Sequence, residues 1–186
     1  MANMKKYNLL ISTRLKTKDP SSATVKTVLR SDMGYGGKVL DVGREELWVV
    51  EAFAGNSESA DELCERIALN TWIFYNPNKH TLSLDVKEDG SPLIGGMKHT
   101  PPVYEVIVAV RFREDEKELS SLRFLKQACD EQEVISAVRK FILWHLKIRS
   151  DSKSEAVSIA ETIAEAKSID SGLLANPSSQ RFEVIA

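Results

Sequence analysis

The sequence predicts an α+β fold of two tandem β-α-β-α-β units, each an antiparallel sheet with helices on one face, packed as an internal pseudo-dimer. Three matches between the halves of the chain predict it. YNLLISTRL at Tyr7–Leu15 repeats as YEVIVAVRF at Tyr104–Phe112, an offset of 104 − 7 = 97. The apolar stripe Ala60, Leu63, Cys64, Ile67, Ala68 repeats as Ala156, Ile159, Ala160, Ile163, Ala164, an offset of 156 − 60 = 96. Asn76-Pro77 repeats as Asn176-Pro177, an offset of 176 − 76 = 100. The drift places small insertions and deletions in loops, where a diverged duplication tolerates them.

Each copy opens with a strand. Tyr7, Leu9, Ile11, Thr13 and Leu15 are two apart, share one face, and fall on Tyr104, Val106, Val108, Val110 and Phe112, while Arg14 falls on Arg111. A helix follows. Asp19-Pro20 combines a capping side chain with a proline preset for the first helical turn, and Val25, Val28 and Leu29 then point to a core. In the second copy an acidic stretch, residues 114–118, stands in place of Asp-Pro, and Leu122, Leu125 and Cys129 continue the stripe.

The second strand of each copy is β-branched and aromatic: VLDVGREELWVVEAF against VISAVRKFILWHLKI. Val39 aligns with Val134 and Arg44 with Arg139 at offset 95, Trp48 with Trp144 at 144 − 48 = 96, and Gly43 suggests a bend or bulge. The second helix carries the repeated stripe, with capping boxes expected at Ser59/Glu62 and Ser152/Glu155. After the Asn-Pro turn, Leu82 and Leu84 fall on Phe182 and Val184 in a closing strand. The division expected is repeat 1 over 1–86, a Pro- and Gly-rich linker over 87–103, and repeat 2 over 104–186. Two helices cover only one face of a sheet, and the duplication supplies a partner for what one copy leaves open.

Composition narrows the function. In 186 residues, 25 Lys+Arg against 27 Asp+Glu give a net charge of −2, without the basic excess of a dedicated nucleic-acid binder. Hydrophobic residues at 42% suffice for a core, and no apolar run approaches the ~18 residues of a membrane span. Cys64 and Cys129 stand alone in helical patterns, which reads as buried thiols in a reducing, cytoplasmic compartment. His80, His99 and His145 lack metal-ligand spacing, and no cofactor or metal site is expected. The glycines of MGYGGK (Gly34, Gly36, Gly37) follow a helix and open a strand, the reverse of a phosphate loop, and read as a helix-ending turn. No nucleophile with a base at defensible spacing is found. Trp48 and Trp144 read as core or interface residues rather than a stacking platform.

The order of these motifs resembles a known family. Lys18-Asp19-Pro20 followed by ATVKTVL, the turn Met33-Gly34-Tyr35, Asp41-Val42, Glu46-Leu47, and Cys64-Glu65-Arg66-Ile67-Ala68-Leu69-Asn70-Thr71-Trp72-Ile73 are similar to motifs of PurS, the small subunit of phosphoribosylformylglycinamidine synthase. The likeness covers residues 4–86 and, through the repeat, extends faintly over 104–185; Ser22 departs from the glycine usual after Asp-Pro. The resemblance implies a non-catalytic role in purine biosynthesis. Such a subunit bridges an ATP-dependent synthetase subunit and a glutaminase subunit so that ammonia passes between them. One tandem chain would then replace a pair of small subunits and be monomeric when free. Partner contact is expected at Arg14, Asp19, Arg44, Asn70, Arg111 and Arg139, without nucleic acid or membrane. The alternative is a ligand-sensing regulatory module that binds a small anionic metabolite between the two repeats.

Overall fold

Both halves of the chain realise the same element order in the computed structural model, which describes residues 4–95, 99–128, 134–166 and 172–186. Repeat 1 contains β1 (Lys5–Leu15), α1 (Pro20–Thr27) continued by a π-helical turn (Val28–Asp32), β2 (Val39–Ala54), α2 (Ser57–Asn70) and β3 (His80–Glu88). A two-residue strand, β4 (His99–Thr100), lies in the linker. Repeat 2 contains β5 (Val103–Phe112), α3 (Glu116–Ala128), β6 (Val134–Arg149), α4 (Lys153–Ala164) and β7 (Gln180–Ile185). The fold is α+β with antiparallel strand pairing. Tyr7 faces Ala52 across β1–β2 as Tyr104 faces Ile148 across β5–β6, and Ile11 faces Leu84 as Val108 faces Val184. The linker is therefore shorter than its composition suggests: β3 runs on to Glu88, and β4 pairs with the start of β5.

The compact units do not follow the repeats. The first unit takes Met1–Lys16, Glu46–Leu93 and Asp115–Lys140; the second takes Thr17–Glu45, Ile94–Glu114 and Phe141–Ala186. The boundaries expected at 86 and 103 thus do not divide the packing. In the first unit the strand order is β3-β1-β2, with the beginning of β6 beside β2, where Ser136 Oγ donates to the Glu51 carbonyl at 3.2 Å. Helices α2 and α3 belong to this unit. Its core joins Leu9, Ile11, Trp48 and Val50 to Leu63 and Ile67 of α2, and to Leu125, Ile135 and Val138 from repeat 2. In the second unit the end of β6 lies between β5 and the beginning of β2, where Arg149 N–H donates to the Lys38 carbonyl at 2.8 Å. Its core joins Val106, Val108, Trp144 and Leu146 to Ile159 and Ile163 of α4, and to Leu29, Val39 and Val42 from repeat 1. Leu29 and Leu125, 125 − 29 = 96 apart, are both fully buried, each among strands of the other repeat.

Local chemistry explains the element boundaries. Asp19 caps α1, accepting Ser21 N–H at 2.8 Å, and Asp115 does the same for α3 through Lys117 N–H at 2.8 Å. The cap survives in repeat 2 without its proline, because one side-chain oxygen satisfies the free amide. Helix α2 is capped by Asn56, which accepts Ser59 N–H at 2.8 Å; the Ser59/Glu62 box is not formed there because the helix starts earlier. Ser152 caps α4 as expected, through Glu155 N–H, and Glu155 returns a bond to Asp151 N–H. The five stripe positions of α2, and those of α4, are all buried.

The glycine turn behaves as a helix terminator. Gly34 has φ +76°, and a side chain on Gly36 would press on the Arg30 carbonyl at 3.0 Å. The expected irregularity in the second strand lies before Gly43. Burial runs Val39, Val42 and then Trp48, Val50, Ala52, so the inward phase shifts between Val39 and Val42; β6 repeats the shift at Ile135 and Val138. The Asn-Pro turns share one hydrogen-bond pattern. Asn76 Oδ1 accepts Asn78 N–H and Lys16 Nζ reaches the Pro77 carbonyl; Asn176 Oδ1 accepts Ser178 N–H and Arg113 reaches the Pro177 carbonyl. Cys129 lies outside the described residues.

This packing predicts an effect that crosses the repeats. Leu125→Ala empties a buried site and should cost about 2–5 kcal/mol in urea unfolding. Amide exchange should then quicken first in β1 and β3 of repeat 1, not in β5 and β7 of the repeat that carries the mutation.

Candidate functional site

The cations of the strands come to rest in defined environments. In the second unit Arg44 lies 3.6 Å from Asp19 and 6.0 Å from the centre of the Trp144 ring. In the first unit Lys140 lies 2.8 Å from Glu46 and 5.0 Å from the centre of the Trp48 ring. The cation and ring positions are equivalent, 140 − 44 = 144 − 48 = 96 apart, whereas the carboxylates come from non-equivalent positions, Asp19 and Glu46. A cation between a carboxylate and an indole face is held by ion pairing and the ring quadrupole, which fixes the strand beneath it. Both tryptophans are buried, and Trp144 Nε1 has no hydrogen-bond partner among the described residues.

A polar network occupies the strand positions of the first unit that alternate with its core residues. Glu51 receives Arg139 at 2.6 Å and Lys6 at 2.8 Å, Arg139 also donates to Asn8 Oδ1 at 3.4 Å, and Lys6 reaches Asp89 at 3.4 Å. The hydrogen bond to Glu51 raises the Lys6 pKa and keeps the ammonium charged. In the second unit the corresponding positions carry Glu105 with Lys147 at 3.4 Å, and Glu45 with His145 at 3.3 Å.

The six residues expected to touch partners do not converge on one site. Asp19 and Arg44 meet in the second unit. Arg111 is also in that unit, 6.0 Å from the Phe141 ring, on the side of β5 away from Val108 and Val110. In the first unit Arg139 is engaged by Glu51; Arg14 is exposed on β1, its carbonyl accepting Thr81 Oγ1 at 3.4 Å; and Asn70 is the exposed last residue of α2. Arg44 and Arg139, aligned by sequence, are not equivalent. Arg44 shares the parity of core residues Val42 and Trp48, whereas Arg139 adjoins core residue Val138 and takes the other face. Lys140 is the counterpart of Arg44.

Two features escape the sequence reading. Leu69 and Trp72, at and beyond the end of α2, are 49% and 64% exposed, and Trp72 has a left-handed backbone with φ +59°. Leu69 stands off the buried stripe, on the polar side of α2, which was the available signal. The second feature is a cleft of about 580 Å³ beside α1 in the second unit, lined among others by Lys18, Ser22, Lys26, Arg30, Gly36 and Asp41. Lys26 pairs with Asp41 at 2.8 Å, and that hydrogen bond lowers the Asp41 pKa.

Catalytic groupings are sparse. Among the described residues no three of His, Cys, Asp and Glu are placed to hold a metal ion, and no helix is long and apolar enough to cross a membrane. His80 opens β3, where its Nδ1 accepts Asn76 N–H at 3.3 Å, and His145 pairs with Glu45. Cys64 is buried among apolar neighbours, and desolvation pushes its thiol up to about 12. In comparisons with known proteins, no family model, no curated protein and no solved structure matches the chain.

The Cys64 environment yields a direct check. At pH 8 a group with pKa about 12 is thiolate at roughly one part in ten thousand. The peptide carrying Cys64 should stay unmodified by iodoacetamide in native protein and be alkylated fully once urea unfolds the chain.

Proposed function

We propose that the chain is a non-catalytic bridging subunit of the phosphoribosylformylglycinamidine synthase type. It holds an ATP-dependent synthetase subunit and a glutaminase subunit together in the cytoplasm for ammonia transfer, with its two repeats standing for a pair of small subunits. The free chain is then a monomer and needs no cofactor of its own.

The observation that carries this reading is Trp72. It lies in the Cys64–Ile73 segment on which the family resemblance rests, it is 64% exposed, and Leu69 beside it is 49% exposed. A non-glycine residue in left-handed backbone costs about 1–2 kcal/mol. A large indole turned to solvent recovers little of that cost by burial in the free chain, whereas tryptophan is among the strongest anchors of protein interfaces. Leu69, Asn70 and Trp72 together form a small apolar terminus with one amide beside it, suited to a pocket on a partner. The ligand-sensing reading is favoured by one observation, the basic cleft beside α1, but that cleft lies within the second unit and the residues lining it come from repeat 1.

Trp72→Gly separates stability from binding. It relieves the left-handed backbone and should leave the melting temperature unchanged or raise it by a few degrees. Retention by the synthetase and glutaminase subunits, with ATP and glutamine present, should fall about tenfold or more. One wild-type chain per synthetase subunit is the stoichiometry expected. Absence of any complex with the wild-type chain, or two chains per synthetase subunit, contradicts the proposal.

A further inference from the structure

The duplication provides an internal control for the cleft beside α1. At offset 96, Lys18, Ser22, Lys26 and Arg30 of repeat 1 correspond to Glu114, Glu118, Leu122 and Lys126 of repeat 2. The equivalence is anchored on both sides by the caps Asp19 and Asp115 and by the buried Leu29 and Leu125. These four positions therefore carry a net charge of +3 in repeat 1 and −1 in repeat 2. In the first unit the position of Ser22 is filled by Glu118, whose carboxylate is buried and accepts Lys140 N–H at 2.7 Å. In the second unit the short Ser22 side chain turns back to the Asp19 carbonyl at 3.0 Å, and space remains. That space is the cleft of about 580 Å³, of a size that takes a small metabolite.

Its electrostatics favour an anion. Lys26 is paired with Asp41 at 2.8 Å, and Lys18 and Arg30 add their charges to the lining with no ion pair among the described residues. Gly36 lies where a side chain would crowd the Arg30 carbonyl at 3.0 Å, so the turn there stays free of a Cβ.

We propose that this cleft binds a small polyanion through a carboxylate, which supplies from solution the acidic group that Glu118 builds into the other repeat. Lys18 and Arg30 hold the ligand's charges, with the hydroxyl of Ser22 on the lining between them. The site is independent of the bridging role: it uses neither Leu69 nor Trp72, and a chain that fails to bind either partner subunit can still bind the anion.

Citrate serves as the probe, with inorganic phosphate as the comparison, each titrated into the full chain at low salt and followed by calorimetry. Citrate should bind in the millimolar range or tighter, and Arg30→Ala or Lys18→Ala should weaken it about tenfold, the loss expected for one charge-assisted hydrogen bond. Ser22→Glu transplants the acid of repeat 2 and should abolish citrate binding while circular dichroism stays native. Should that variant misfold, Arg30 and Lys18, both exposed, still carry the test. No citrate binding by the wild type up to about 10 mM, citrate binding untouched by all three variants, or phosphate bound more tightly than citrate would overturn the assignment.

Discussion

Strands β2 and β6 each run for 16 residues, and each divides between the two compact units. The first unit needs the beginning of β6 to supply Ile135 and Val138, and the second needs the beginning of β2 to supply Val39 and Val42. The inward phase of both strands shifts by one residue between those pairs, which sets the faces for everything that follows. A slip of one position would exchange the faces of β2, moving Trp48, Val50 and Ala52 off the α2 core and putting Glu51 in their place. The helices obey the same division. Leu29 and Leu125 complete cores whose other strands belong to the opposite repeat, so neither repeat contains a whole core of its own.

Much of this was legible locally. Period-two alternation marked β1 and β5, the stripes marked α2 and α4 residue by residue, and the paired Asn-Pro turns marked β3 and β7. What failed was information that local pattern does not hold. Which sheet a helix covers is not written in its stripe, because Leu29 looks the same facing either set of strands. Aligning β2 with β6 on Arg44 and Arg139 misses by one residue, since a long flexible cation can serve on either face of a strand; the buried pairs Val39/Val42 and Ile135/Val138 fix the register. Asp115 lacks the proline that marks Asp19-Pro20 as a cap, although capping needs only the carboxylate. Among the residues expected to meet partners, Asp19, Arg44 and Arg139 are engaged within their own unit.

Diverged duplicates let one copy explain the other. The cation-on-indole pairs persist, with Arg44 exchanged for Lys140, because either cation satisfies a carboxylate and a ring. The third residue of the first helix did not persist: Glu118 closes its site by bonding strand β6, and Ser22 leaves its own open beside two lysines and an arginine. Loss of constraint in one copy is where a new surface can arise. Trp72 has the same character: its left-handed backbone gains nothing in the free chain unless the exposed ring is used.

The central claim is that each compact unit is assembled from both repeats. A fragment of residues 1–95 lacks Leu125, Ile135 and Val138 and so cannot complete the first core within one chain. Thermal unfolding followed by circular dichroism, with the mass measured on the same sample, tests this most directly. The expected result is no cooperative transition from a monomeric fragment. A monomeric fragment that unfolds in a single sharp transition would contradict it.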